Sequence, residues 1–243
     1  MGDAGFAGWV TQFHSHRSVH ARADAAIPFE AVCHIPPALR QSLIRSVQRF
    51  QLGESGDGGQ LLRKAASDGD SHYLDAVKLF VAEEQQHAAL LMRVLTYLGG
   101  EPIPHHWTDA VFVRLRRTLG LKTELMVLMV AEVIALHYYG MLACSGADPV
   151  VGAVAGRILA DEQVHVGFHR TRLRHGFARA SAAQRGLCWV LWTLITLGTA
   201  TVVAIDHGRL LNALGYRRLR FVGDVMNTFL AVAAEVLDRP HRA

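Results

Sequence analysis

The chain has 243 residues, 51% of them hydrophobic and 19% charged, with a formal net charge of +4. That length and apolar content allow one domain with a large buried core, and they exclude a disordered chain or a small disulfide-stapled scaffold. Cys33, Cys144 and Cys188 are far apart and form no Cys-x-x-Cys pair, so each is read as a small buried hydrophobe in a reducing compartment.

Residues 1–36 show no sustained period and are read as an irregular arm whose His14, His16 and His20 are solvated. The arm lacks the uninterrupted apolar region of a secretory signal. Phe6 stands where a Met-Gly myristoylation signal needs Ser or Thr, so the cytoplasm is the default location. Helical periods follow at 37–66, 70–98, 109–145, 148–178, 181–212 and 217–238, and strand patterns are nearly absent. The fold class is therefore all-α: long helices, joined by the short breaks 67–70, 99–104, 145–149 and 214–218, make a bundle. Asp148-Pro149 marks a helix start, an N-cap followed by proline at the first position.

Two stretches resist a simple reading. "RFQLGESGDGGQLL" (49–62) is turn-rich, yet apolar residues flank it at helical spacing and it carries Glu54. "LCWVLWTLITLGTATVVAI" (187–205) has no charge and is long enough to cross a bilayer. Its Thr and Gly content favours a helix buried inside a helical protein, with membrane contact as the alternative. Arginine clusters at 114/116/117, 170/172/174 and 217/218/220 come without an aromatic ladder or nucleic-acid motif, so they are read as solvated helix faces, with a docking surface for an acidic partner or an anionic group as the alternative, and no nucleic-acid partner is expected.

The chemistry lies in "VAEEQQHAALL" (81–91) and "LADEQVHVGFH" (159–169), each with Glu-x-x-His inside an apolar helix: Glu84/His87 and Glu162/His165. Residues three apart share a helix face, so carboxylate and imidazole can grip one ion. Glu54 precedes Glu84 by 30 residues and Glu132 precedes Glu162 by 30, which gives the two halves a constant offset of 78. Glu132 sits alone in an apolar run, and Glu54 is read as its counterpart, the glycines after it letting the helix bulge rather than end. Glu54, Glu84, His87, Glu132, Glu162 and His165 thus come from four helices. Four carboxylates match the charge of two divalent cations, and without cations their burial would cost several kcal/mol each or force protonation.

This pattern resembles the ferritin-like di-iron carboxylate proteins, E…ExxH…E…ExxH on a four-helix bundle, over residues 37–178. "EEQQH" and "DEQVH" are also similar to the paired motifs of the soluble desaturases. The resemblance implies a single domain over 1–243: the arm at 1–36, a ferritin-like four-helix bundle at 37–178 and two additional C-terminal helices at 181–238. It implies two iron ions as cofactor, with a Mn/Fe pair left open. Glu83 and Asp161, by the same resemblance, would hydrogen-bond metal-bound imidazoles. Arylamine N-oxygenases of the superfamily carry a further histidine; Ile158 stands at that position here, and His169 is the candidate substitute. Tyr139, on the Glu132 face, and Tyr73 would line the site or fill the core, and Asp206-His207 would border a pocket or end a helix.

The implied function is a di-iron oxidase or oxygenase that uses O₂ on a small apolar or mixed substrate, with an external electron donor and a dimeric state left open. The alternatives are an iron-handling protein, disfavoured by the additional helices and the missing cysteine knuckle, and a non-catalytic helical protein held at a membrane through 187–205.

Overall fold

The computed structural model of the chain describes residues 5–107, 114 and 120–238, and every regular element among them is a helix. In chain order these are α1 (Gly5–Ala25), α2 (Pro37–Glu54), α3 (Gly59–Asp68), α4 (Ser71–Tyr97), α5 (Leu121–Cys144), α6 (Pro149–Phe177), α7 (Ala182–Asp206), α8 (Gly208–Ala213) and α9 (Arg218–Leu237). The first part of the helix expected at 109–145 lies outside the described residues, as do Arg116, Arg117 and the Met-Gly start.

Helix starts follow the local chemistry. The Asp70 carboxylate accepts from the Tyr73 amide at the head of α4. Asp148 accepts from the amides of Val150 and Val151 before Pro149. Ser181 and Gln184 bond reciprocally at the start of α7. Such caps satisfy amides that have no partner within the helix.

Three expectations are corrected. The arm at 1–36 is not irregular over most of its length: α1 is a helix of 21 residues. Phe6 and Phe13 are buried, and Phe6 meets Tyr73 while Phe13 meets Phe168 edge-on. Only three aromatic residues, Phe6, Trp9 and Phe13, carry its apolar period among polar neighbours, too few to show in the sequence. The helix expected at 37–66 is two helices. α2 ends at Glu54, and Gly58 begins a new start with a left-handed φ of 63°. A Cβ there would come within 2.6 Å of Val81, so position 58 needs glycine for its conformation and for its contact with α4. Finally, 187–205 is not buried all round. α7 buries Trp192, Thr196, Ala200 and Ala204 along one stripe against α5 and α9 and exposes the opposite face.

The core forms two pools. One gathers Phe13, Tyr73, Phe80, Val133, Phe168 and the C-terminal helices. The other gathers Leu43, Leu91, Tyr138, Val154 and Ile158. α4, α5 and α6 pass from one pool to the other, and their buried carboxylates and histidines sit where they cross. α5 lies along α6, α2 along α4, and α4 also touches α6. α3 packs on α4 and α5, and Lys64 reaches the fully buried Glu124 at 2.8 Å.

Candidate metal centre

Helical spacing places each of the six candidate residues on an inward face, and the four helices bring them to one point. Ligand-type atoms of Glu54, Glu84, His87 and Glu162 lie within 4.8 Å of one another, and so do those of Glu84, Glu132, Glu162 and His165. The two groups share Glu84 and Glu162. Glu54 and His87 stand at one end, Glu132 and His165 at the other. His87 Nδ1 is 3.4 Å from Glu162 and 3.6 Å from Glu84. His165 Nδ1 is 3.2 Å from Glu84, 3.5 Å from Glu162 and 3.6 Å from Glu132. Donors on one ion at about 2.1 Å stand roughly 3–3.5 Å apart, so these gaps fit a cation between them.

The unsatisfied atoms mark the same place. Glu84 Oε1, His87 Nδ1, Glu162 Oε2 and His165 Nδ1 are buried and make no hydrogen bond in the protein. A buried polar atom left without a partner costs about 1–3 kcal/mol, and here several converge on one point. The buried carboxylate and histidine groups can hold metal ions, and among the described residues they bring no thiolate.

The far side of each imidazole is fixed crosswise. His87 Nε2 donates to Asp161 at 2.9 Å, and His165 Nε2 donates to Glu83 at 3.0 Å. The acid before each Glu-x-x-His glutamate therefore orients the histidine of the other helix, which leaves both Nδ1 atoms facing the carboxylates. Asp161 also pairs with Arg157 and accepts from His20 Nε2 at 2.9 Å, and Arg157 reaches on to Asp24 at 3.1 Å. His20 is the functional-site neighbour that the sequence reading left in solvent. With His16, one turn earlier on α1, it joins Glu83 and Asp161 in a further group of close ligand-type atoms. The signal was the i, i+4 histidine pair beside the period of Phe6, Trp9 and Phe13.

The remaining candidates divide. The Tyr139 hydroxyl donates to Glu54 Oε1 at 2.9 Å, so this tyrosine borders the site. His169 is fully buried with Nε2 3.4 Å from Glu132. Tyr73 is a core aromatic instead, stacked on Phe168. Asp206 and His207 both end a helix and border a cavity.

Protons lower the negative charge that the cluster would otherwise carry. Burial, then the charge of Glu84, holds the Glu54 carboxyl well above the usual range. Burial and Glu132 raise Glu84. Glu162 is pushed up to about 8 by burial and by Glu132. Burial would raise Glu132 too, but the close Glu162 carboxyl and the His165 and His169 imidazoles beside it outweigh burial and hold Glu132 well below the usual range. Burial also opposes charging His87 and His165, yet their carboxylate partners, led by Asp161 for His87 and Glu132 for His165, keep both well above the ordinary imidazole value. A cation entering this cluster must displace protons. Adding Zn(II) near neutral pH in weak buffer should therefore acidify the solution by about one to two protons per ion, and Zn(II) affinity should fall as pH is lowered. A pH-stat titration with no acid release would contradict this ionisation state.

A cavity of about 190 Å³ adjoins the cluster. Glu54, Glu84, Glu132 and Glu162 form its polar wall; Phe50, Leu128, Ile134 and Ala135 its apolar wall; and Thr199 and Val203 of α7 close it with His207. His207 Nδ1 is 2.6 Å from Ser46 Oγ, which is 2.8 Å from the Tyr138 hydroxyl, while Arg49 pairs with Asp206. Burial depresses His207 to about 4. The unfolded chain, with an ordinary histidine near 6.5, binds the proton first, so this residue's contribution to stability is complete above that value and is lost as pH falls toward 4. Between pH 7 and pH 4.5 the stability difference between wild type and His207→Asn should narrow by about 2–3 kcal/mol. Denaturant melts of both proteins at the two pH values measure it; a constant difference would mean His207 is already charged in the fold.

Comparison with models of known protein families gives no match, and comparison with curated proteins gives none either.

Proposed function

We propose that this chain is a ferritin-like, non-haem di-iron oxidase or oxygenase that acts with O₂ on a small apolar or mixed organic substrate. The observation that carries the reading is the pair of four-residue groups sharing Glu84 and Glu162, with orphaned donor atoms aimed between them. Carboxylate and imidazole donors without thiolate suit iron or manganese. Glu54 with His87 and Glu132 with His165 would hold one ion each, Glu84 and Glu162 would lie between the two, and His169 offers a third imidazole at the Glu132 end. Bound there, two ferrous ions would supply the electrons and open coordination positions that reduce O₂.

The protein's own residues would do the rest. Asp161 and Glu83 hold the two imidazoles in one tautomer and orientation. The Tyr139 hydroxyl fixes the Glu54 carboxyl. Phe50, Leu128, Ile134 and Val203 give the cavity an apolar wall and leave room for an apolar group beside the carboxylates. That cavity favours substrate oxidation over iron handling, which needs no organic pocket.

An oxygen electrode tests the reading. Anaerobically Fe(II)-loaded protein, mixed with O₂ in a single turnover, should consume about one O₂ per two irons. Consumption no faster than that of free Fe(II) would sink the proposal. Formation of a large multi-subunit shell in light scattering would move it to iron handling.

A further inference from the structure

The metal centre leaves one large surface feature unused. On α7 the side chains of Leu187, Val190, Leu191, Leu194, Ile195 and Ile205 are between 41% and 63% exposed. They recur every three or four residues, with Gly198 and Thr201 at the intervening steps, so they form one continuous face. No charged residue occurs from Gly186 to Ile205, a face roughly 30 Å long. Single exposed hydrophobes are ordinary, but a contiguous face of this size marks an interaction site.

Three observations say what covers it. First, the Thr199 and Thr201 hydroxyls on this helix do not need water: Thr201 Oγ1 donates to the Leu197 carbonyl at 2.7 Å and Thr199 Oγ1 to the Ile195 carbonyl at 2.8 Å. Second, the C-terminal end of the face is cationic. Arg209 is exposed on α8, just past the turn residue His207, and Arg217 and Arg218 are exposed at the head of α9 beside Leu219, which is 82% exposed, the Arg218 guanidinium lying over Gly208. Among the described residues these three arginines make no ion pair, and the acids of α7 and α9 are already taken: Asp206 by Arg49, Asp224 by Arg220, Glu235 by Arg170. Third, the opposite stripe of α7 is packed on α5 and α9 along its length, so the helix lies against a surface and does not cross it. A second copy docked through the same face would bring a like apolar face whose own acids on α7 and α9 are already paired; an anionic bilayer supplies both the apolar layer and the phosphates.

We propose that the exposed face of α7 docks into the interface of an anionic lipid bilayer, with Arg209, Arg217 and Arg218 on lipid phosphates. Docking itself needs no metal. Its consequence does rest on the di-iron reading: Thr199 and Val203 of the docked helix line the cavity beside the candidate ligands, so an apolar molecule dissolved in the bilayer could reach the metals without crossing water.

Flotation of the full chain with vesicles tests docking, with and without Fe(II). The protein should float with phosphatidylcholine vesicles containing phosphatidylglycerol and much less with phosphatidylcholine alone. Arg209→Gln with Arg217→Gln should weaken binding about thirty-fold, at roughly tenfold per 1.4 kcal/mol and about 1 kcal/mol per arginine, and should remove most of the preference for phosphatidylglycerol. Leu191→Glu with Leu194→Glu should abolish flotation. Both residues are exposed, and a circular dichroism melt checks that this variant folds. If it does not fold, the wild-type lipid preference and the arginine variant still decide. Wild type failing to float with either vesicle would overturn the proposal, as would flotation by a folded stripe variant. So would a stable dimer that the stripe variant turns into a monomer, which would give the face to a second copy. Flotation without iron binding would keep the docking face and discard the di-iron reading.

Discussion

Anaerobic loading with Fe(II) should stabilise the chain against heat by several kcal/mol, and Glu162→Ala should abolish the effect at both sites. Without metal, the cluster confines four carboxylates and two imidazoles that must share protons to remain buried. An ion that binds only the folded chain stabilises it by about 2.7 kcal/mol at a hundredfold excess over Kd, so two sites give roughly 5 kcal/mol. For a chain of this size that is a rise in midpoint of about 10–20 °C. Glu162 belongs to both groups, so removing it should leave a midpoint nearly indifferent to Fe(II). Glu83→Gln keeps all six candidate ligands of the two ions and removes the charged acceptor behind His165, so its metal affinity should fall about 10- to 100-fold while two ions still bind at saturation. Calorimetry in the presence and absence of Fe(II), with metal quantified per chain, measures all three. A Glu162→Ala protein that holds two irons would dismantle the arrangement.

Much of this site was legible because helices repeat. The equal spacings of Glu54 to Glu84 and Glu132 to Glu162 brought out four carboxylates before any contact was known, and the buried setting of Glu132 followed from its apolar run. The acids before each motif were legible too, as positions that resemblance ties to imidazole. What could not be read was which imidazole each acid would serve. Asp161 holds His87 and Glu83 holds His165, and that crossing is a property of how α4 meets α6. His20 was invisible for a related reason: its value comes from where α1 is laid, and α1 is held by three aromatics among polar residues. The apolar run of α7 showed how hydrophobic the helix is, but composition cannot distinguish a helix covered on all sides from one covered on one side.

The residue at the end of α2 gives the sharpest test, because its two descriptions are both true of the backbone. "QLGESGDGG" does break the helix, with four residues between Glu54 and the start of α3. Yet Glu54 turns inward, accepts from Tyr139 and stands among the ligand-type atoms of Glu84, His87 and Glu162. If the break were only a surface turn, Glu54→Ala would stay within about 0.5 kcal/mol of wild type. The site reading makes different predictions for it and for Glu132→Ala. In metal titrations Glu54→Ala should lose the ion at the His87 end, Glu132→Ala the ion at the His165 end, and each should keep about one. Without metal, burial and Glu84 already push the Glu54 carboxyl toward its neutral form, so its removal chiefly strands the buried Tyr139 hydroxyl, at about 1–3 kcal/mol. Glu132 is the charged partner of two buried imidazoles, so its removal should cost the apo protein more, about 3–5 kcal/mol. Tyr139→Phe placed on Glu54→Ala should recover most of that variant's loss, and the same change on Glu132→Ala should recover none. Urea melts of the apo proteins, paired with metal counts on the loaded ones, separate the cases. A Glu54→Ala protein with two tightly bound ions and wild-type stability would return this stretch to being a loop.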